Sequence, residues 1–202
     1  MGRRSTPHSN QLRIIGGRWR GRKLQFPDRP GLRPTSDRVR ETLFNWLQHE
    51  IQEARCLDLF AGAGALGIEA LSRGAQHCDF IDLDPIAATS VEAHLQTLCA
   101  SKISSVSCSE AFSWLDNYAG PPWDIIFIDP PFNAGLITQT LLRLINHPAL
   151  LDSSLVYVEL ARTDPFVLNA EQWEMLRQKQ AGEVQFRLLQ RGDRWREGSG
   201  DT

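Results

Sequence analysis

From residue 54 onward, compact apolar runs alternate with stretches whose apolar residues return every three or four positions. These are the signatures of buried strands and of one-faced helices. "RCLDLF", "HCDFIDLD", "ISSVSCS", "DIIFID" and "SLVYVEL" read as strands. "GALGIEALSRG", ending at Gly74, "PIAATSVEAHLQTLCA", opening on proline, and "AGLITQTLLRLINH" read as helices. "WEMLRQKQAGEVQFRLLQR" reads as two strands joined at Ala181–Gly182–Glu183, an antiparallel hairpin. Such alternation predicts an α/β fold, a doubly wound and mostly parallel sheet with helices on both faces.

Ahead of this block the pattern differs. "LRIIGGRWRGRKLQF" sets short apolar runs on either side of Gly16, Gly17 and Gly21, as a small hairpin would. In "RPTSDRVRETLFNWLQHEI", Ser36 can cap a helix whose apolar positions Val39, Leu43, Phe44, Trp46 and Leu47 recur at helical spacing. The expected organisation is a disordered basic leader over 1–11, a basic hairpin and helix over 12–52, an α/β domain over 53–192 and a frayed tail over 193–202.

Composition changes this picture in two ways. At 202 residues, 42% apolar and 23% charged, the chain suits one domain plus an extension. No apolar stretch approaches the roughly 20 residues of a membrane span, and "MGRRSTPHSNQ" leads into no secretory segment. Cys56, Cys78, Cys99 and Cys108 form no CxxC, and no histidine pair has zinc-finger spacing beside them. Free thiols in a reducing compartment, no metal, and a soluble, cytoplasmic, monomeric protein are therefore expected. The second change is in charge. Residues 1–40 hold eleven Lys and Arg against two acids, and the remainder eleven against twenty-two. A block of one sign is the footprint of a polyanion-binding arm. Arg18, Trp19, Arg20 and Arg22 sit near the hairpin turn, and Arg33, Thr35, Arg38 and Arg40 at the helix start. There they could contact phosphates, with the indole stacking on a base.

The chemistry-bearing residues fall where the strands end, which is where such sheets bind ligands. Gly62, Gly64 and Gly67 have GxGxxG spacing between a strand and a helix. That spacing fits a dinucleotide as well as S-adenosylmethionine, and Asp82 lies where a ribose-binding acid belongs in either case. Two details favour the sulfonium cofactor. Asp58 precedes the loop, badly placed for a pyrophosphate but well placed for the ammonium of a methionine moiety. The other is the corner "DPPF" at the end of "DIIFI". Asp82 can accept from ribose hydroxyls, and Glu110 from an adenine amino group, with Ala111 offering its backbone. Phe60, Leu83 and Asp129 complete the expected cofactor set.

"LDLFAGAGALGIEALSRGA", "FIDLD", "EAFSWL" and "DIIFIDPPF", preceded by "RIIGGRWRGRKL" and "RPTSDRVRETLFNWL", resemble the bacterial RsmD-type small-subunit ribosomal RNA guanine methyltransferases over residues 12–190. The resemblance implies a class I methyltransferase fold of seven strands, the last antiparallel. It also implies methylation of the exocyclic 2-amino group of one guanine, on RNA within the small ribosomal subunit or an assembly intermediate. Asp82 stands where many relatives have glutamate, and Glu110 where aspartate or asparagine is common.

An exocyclic amino group is a poor nucleophile because its lone pair is delocalised into the ring. If Asp129 and the Pro130 carbonyl each accept one amino hydrogen, the nitrogen is held with its lone pair turned toward the methyl carbon. Pro130 and Pro131 fix the corner and donate no competing N–H. Asp129 stabilises the charge that develops and can take the proton, while Phe132 stacks on an unpaired or flipped base. Three alternatives stay open on sequence grounds: an adenine 6-amino methyltransferase on RNA or DNA, protein glutamine methylation, and a non-catalytic RNA-binding assembly factor. The glutamine enzyme usually has asparagine at the position of Asp129. An oxidoreductase is weaker still, since "YxxxK" is absent.

Overall fold

The computed structural model describes residues 10–26, 35–131 and 135–193. Arg33 and Phe132, most of the expected leader and nearly all of the expected tail lie outside the described residues.

Among the described residues the chain forms a two-stranded hairpin, β1 (Asn10–Arg13) and β2 (Lys23–Phe26), and then helix α1 (Asp37–Trp46). The α/β block follows as β3 (Arg55–Asp58), α2 (Ala65–Ser72), β4 (His77–Asp82), α3 (Pro85–Thr97), β5 (Ser104–Cys108), α4 (Ala111–Asp116), β6 (Trp123–Ile128), α5 (Leu136–Leu144) and β7 (Leu150–Ala161). A closing pair, β8 (Trp173–Ala181) and β9 (Val184–Arg191), ends it. The seven-stranded sheet runs β5-β4-β3-β6-β7-β9-β8. Neighbours from β5 to β7 are parallel, and β9 runs antiparallel to both β7 and β8. This is the class I methyltransferase arrangement, with the last strand of the series alone reversed.

Strand β6 shows why the apolar runs end up central. Ile125 and Phe127 point into the core under α1, α2 and α3, while Ile126 and Ile128 point into the core under α4 and α5. A strand covered on both faces can carry no polar alternation. Ser36 caps α1 as expected, its hydroxyl accepting from the Val39 amide at 3.3 Å, and Phe44 of that helix meets Phe127 with ring centroids 6.1 Å apart. Six-residue α4 was not anticipated.

The hairpin and α1 share one apolar core with the sheet. Leu12, Ile14, Trp19, Leu24 and Phe26 are buried in the same cluster as Phe80, Phe127 and Tyr157. Polar contacts lock the docking: Glu69 of α2 accepts from the amides of Ile15 at 2.8 Å and Gly16 at 2.7 Å, and His94 of α3 meets the Gln25 carbonyl at 2.8 Å. No helix among the described residues is long and apolar enough to cross a membrane.

Candidate functional site

The carboxyl ends of β3, β4 and β6 converge on the glycine loop. Gly62 and Gly64 have positive φ of 53° and 74°, a conformation that glycine adopts without the cost a side chain would add. The loop is held by the two acids at the strand ends. Asp82 accepts from the Gly62 amide at 2.6 Å and the Asp84 amide at 2.8 Å. Asp58, 2% exposed, accepts from the Gly67 amide at 2.9 Å. Gly67 itself packs rather than opens the loop, since a Cβ there would lie 2.3 Å from the Phe80 ring. Its lack of a side chain thus serves helix-on-strand packing. Beside Asp82, Leu83 is 69% exposed, an apolar side chain facing solvent at a strand end. Phe60 is half-buried against the core on the α4 and α5 side.

Glu110 differs from the sequence expectation. Its carboxylate accepts from the amides of Phe112 at 3.0 Å and Ser113 at 2.7 Å, capping α4, while Ala111 is buried as the first residue of that helix. Desolvation raises the Glu110 carboxyl, but the Ser113 and Phe112 amides, with help from the Ser113 side chain and Arg143, outweigh it and hold the group below its usual range. The acceptor anticipated for an adenine amino group is thus a helix cap in this structure.

At the corner after β6, part-buried Asp129 sits beside a buried acid, Glu159. Ile128 pairs with Val158 and Phe127 with Tyr157, so by strand alternation Asp129, Glu159 and Tyr157 share the sheet face that also carries Asp58. Thr35 donates to Asp129 Oδ2 at 2.9 Å, and the Tyr157 hydroxyl donates to Glu159 Oε2 at 2.8 Å. Burial dominates the electrostatics. It pushes Asp58 up to about 7, opposed by the Gly67 amide and reinforced by Asp129 and Asp82. It pushes Asp129 up to about 6 against the Thr35 hydroxyl. Glu159 rises to about 8, through burial and then the neighbouring Asp129 charge. Among the described residues no lysine or arginine forms an ion pair with any of the three.

On the β7 side of the corner lies a cavity of about 230 Å³, walled by Pro130, Pro131, Leu136, Asp164, Pro165 and Phe166. The Arg187 guanidinium lies 5.4 Å from the centre of the Phe166 ring. Sequence reading missed both Glu159 and this wall. The available signal was "DPF" at 164–166, a second acid–proline–aromatic corner following a buried strand.

The basic segment divides into two groups. Arg18, Arg20, Arg22 and Arg38 are exposed. Trp19, expected to stack on a base, is only 7% exposed, and Arg18 lies 4.2 Å over its ring. It is a packing anchor: its ring is buried in the shared core and its amide donates to Ser72 Oγ of α2 at 3.1 Å. Arg40, expected to grip phosphate, is 1% exposed. Its guanidinium contacts Asp37 at 2.6 Å, the Arg13 carbonyl at 2.9 Å, the Thr35 carbonyl at 3.1 Å and Glu69 at 3.5 Å. Thr35, expected to contact RNA, is 4% exposed, and its hydroxyl is turned toward Asp129. Among the described residues no group of three or more His, Cys, Asp or Glu could hold a metal.

Comparison with known proteins places this site in context. A family model described as conserved hypothetical protein 95 matches residues 12–190. The ribosomal RNA small subunit methyltransferase D of Escherichia coli K12 is 49% identical over 183 residues, 91% of each chain. Its namesake in Haemophilus influenzae is 43% identical over 188 residues, 92% of this chain and 97% of that one. The solved structure of yhhF from Escherichia coli superposes with a TM-score of 0.80 at 46% identity, over 91% of this chain and 99% of its own.

Proposed function

The chain belongs to the RsmD family of small-subunit ribosomal RNA methyltransferases, and on that premise we propose that it transfers a methyl group from S-adenosylmethionine to the 2-amino group of one guanine in small-subunit ribosomal RNA. The observation that carries this reading is the row of carboxylates beside the glycine loop, buried Asp58 and Glu159 with part-buried Asp129 between them, none of which pairs with a lysine or arginine among the described residues. An ammonium and a sulfonium would each find compensation there, whereas a pyrophosphate would meet like charge.

The residues fit such a cofactor. Asp58 would face the ammonium, and Asp82, with two of its four lone-pair sites used by Gly62 and Asp84, retains acceptors for ribose hydroxyls. Leu83 offers an apolar surface to the purine ring. When bound, S-adenosylmethionine supplies the methyl group to be transferred. The chain's part is to hold the nucleophile.

Asp129 and the Pro130 carbonyl accept the two amino hydrogens, so the nitrogen lone pair is released from the guanine ring toward the donor side. A carboxyl near 6 is ionised at neutral pH yet basic enough to take the proton that the nitrogen sheds. The base itself enters the cavity between Pro131 and Phe166, with its amino edge turned to Asp129 and the Pro130 carbonyl. A paired guanine could not reach it, so the target is unpaired or flipped out.

The exposed Arg18, Arg20, Arg22 and Arg38 grip phosphates around the target. An arm of this kind suits an assembled subunit or a late assembly intermediate, engaged by a monomer. The test is to incubate the protein with labelled S-adenosylmethionine and small-subunit RNA, free and assembled, and map the methylated base. Label on guanine N2 in assembled particles supports the reading. Label on adenine, or none on either substrate, overturns it.

A further inference from the structure

Building on the proposed methyl transfer, we propose that Thr35 is a positioning residue for the reaction: its hydroxyl aims the Asp129 carboxylate at the substrate amino group, and Arg40 is the strut that fixes Thr35. Asp129 lies beyond the last ladder position of β6, where no strand pairing restrains it. A carboxylate in that place is free to turn about its χ1 and χ2 bonds unless something holds it. Thr35 supplies the hold with one hydrogen bond to Oδ2 at 2.9 Å, and among the described residues Oδ1 receives none. One oxygen is anchored, and the other is left for the substrate.

Thr35 lies just before α1 and is itself outside any regular element. Its carbonyl accepts from Arg40 Nε at 3.1 Å, and the same guanidinium reaches the Arg13 carbonyl of the hairpin at 2.9 Å and Glu69 of α2 at 3.5 Å. Arg40 therefore ties the segment carrying the hydroxyl to two other elements. The hydroxyl also separates two acids. Asp129 faces Asp58 from β3 and Glu159 and Tyr157 from β7. Tyr157 donates to Glu159, and the Thr35 hydroxyl that bonds Asp129 also acts on Glu159, so it stands between the two carboxyls.

Loss of the hydroxyl has a definite sign. The Thr35 hydrogen bond favours the ionised form of Asp129 against burial. Without it Asp129 keeps its proton to higher pH, and a protonated acid cannot take up the proton that the nitrogen sheds. The experiment compares Thr35→Val and Thr35→Ser with the wild type for kcat, KM for S-adenosylmethionine and the pH profile of kcat. For Thr35→Val, kcat falls at least about tenfold, since misorientation of a reacting group is costly, with KM within about twofold. The acid limb of the profile moves to higher pH, and Thr35→Ser restores rate and limb together.

Wild-type rate and acid limb in Thr35→Val would overturn the proposal. So would equal impairment in Thr35→Ser, which would assign the residue to packing. If circular dichroism shows the valine variant unfolded, Thr35→Ala is read by the same criteria. Absence of transfer by the wild type itself would sink the functional reading on which the proposal rests; transfer by the wild type with no change in the variants sinks the proposal alone.

Discussion

Asp58 accepts the amide hydrogen of Gly67 at 2.9 Å, so the end of β3 and the first turn of α2 are joined by one buried hydrogen bond to a carboxylate. That bond does not offset the burial of the charge, and the Asp58 carboxyl stands at about 7 against 3.8 for a free side chain. Asp129 at about 6 and Glu159 at about 8 lie above their ordinary values for the same main reason. All three bind protons more tightly in the folded chain than in the unfolded one, so they favour folding at low pH and this contribution is lost as pH rises through their folded values. Asp79 and Glu110, both lowered, act in the opposite sense and below the ordinary carboxyl range. The ligand-free protein should therefore lose stability between about pH 5 and pH 8. Asp58→Asn should flatten that loss while weakening S-adenosylmethionine binding at least about tenfold. Urea unfolding at the two pH values and calorimetry measure both, and an unchanged pH slope in the variant would contradict the assignment.

Asp129→Ala should lower methyl transfer at least about a thousandfold, the range associated with loss of an acid–base group that also stabilises developing charge. Cofactor affinity should stay within about fivefold, because Asp58 and Asp82 remain. Single-turnover transfer and calorimetry separate the two effects. A variant with near-wild-type turnover removes Asp129 from the mechanism.

Gly67→Ala should destabilise the fold by about 1–3 kcal/mol, as overpacking does in a tight core. The new Cβ would lie 2.3 Å from Phe80 and 2.8 Å from Cys78 Sγ, neither of which has room to retreat. Pairing it with Phe80→Leu should recover part of the loss. Thermal melts of the single and double variants give the answer, and a neutral Gly67→Ala would mean that α2 can lift from β4 at little cost.

The exposed and the buried arginines should behave oppositely. Arg20→Ala and Arg22→Ala should leave the melting temperature unchanged, weaken RNA binding and reduce its salt dependence by roughly one counterion each. Arg40→Ala should cost about 1–3 kcal/mol of stability, since it releases the buried Thr35 and Arg13 carbonyls, while Glu69 keeps Arg73 and the Ile15 and Gly16 amides. Filter binding across a salt series, together with chemical denaturation, distinguishes the groups. An Arg20→Ala variant with unaltered salt dependence would remove that residue from the phosphate-gripping set.

Most of the sheet was legible because its strands are buried on both faces and its helices carry one apolar stripe. Helix α4 was hidden because "AFSWLD" is too short for a helical period to repeat and its cap is a glutamate, an uncommon choice. Arg40 was misread although its position gave a warning: it stands three and four residues before Leu43 and Phe44, on the stripe that faces the core. Glu159 could not be recognised from spacing, since its meaning depends on the register that sets Val158 beside Ile128. Thr35 was noticed for the wrong reason, because nothing in the linear order indicates that a residue 94 positions away would turn its hydroxyl to Asp129.

Strand β9 enters between β7 and β8, so the sheet cannot be finished in the order of synthesis. As the nascent chain emerges, β7 and β8 must wait with open edges until residues 184–191 arrive to zip them together. The packing of Phe186 on Tyr157 and of Arg187 on Phe166 is thereby completed last, which makes a finished site a late event in biogenesis.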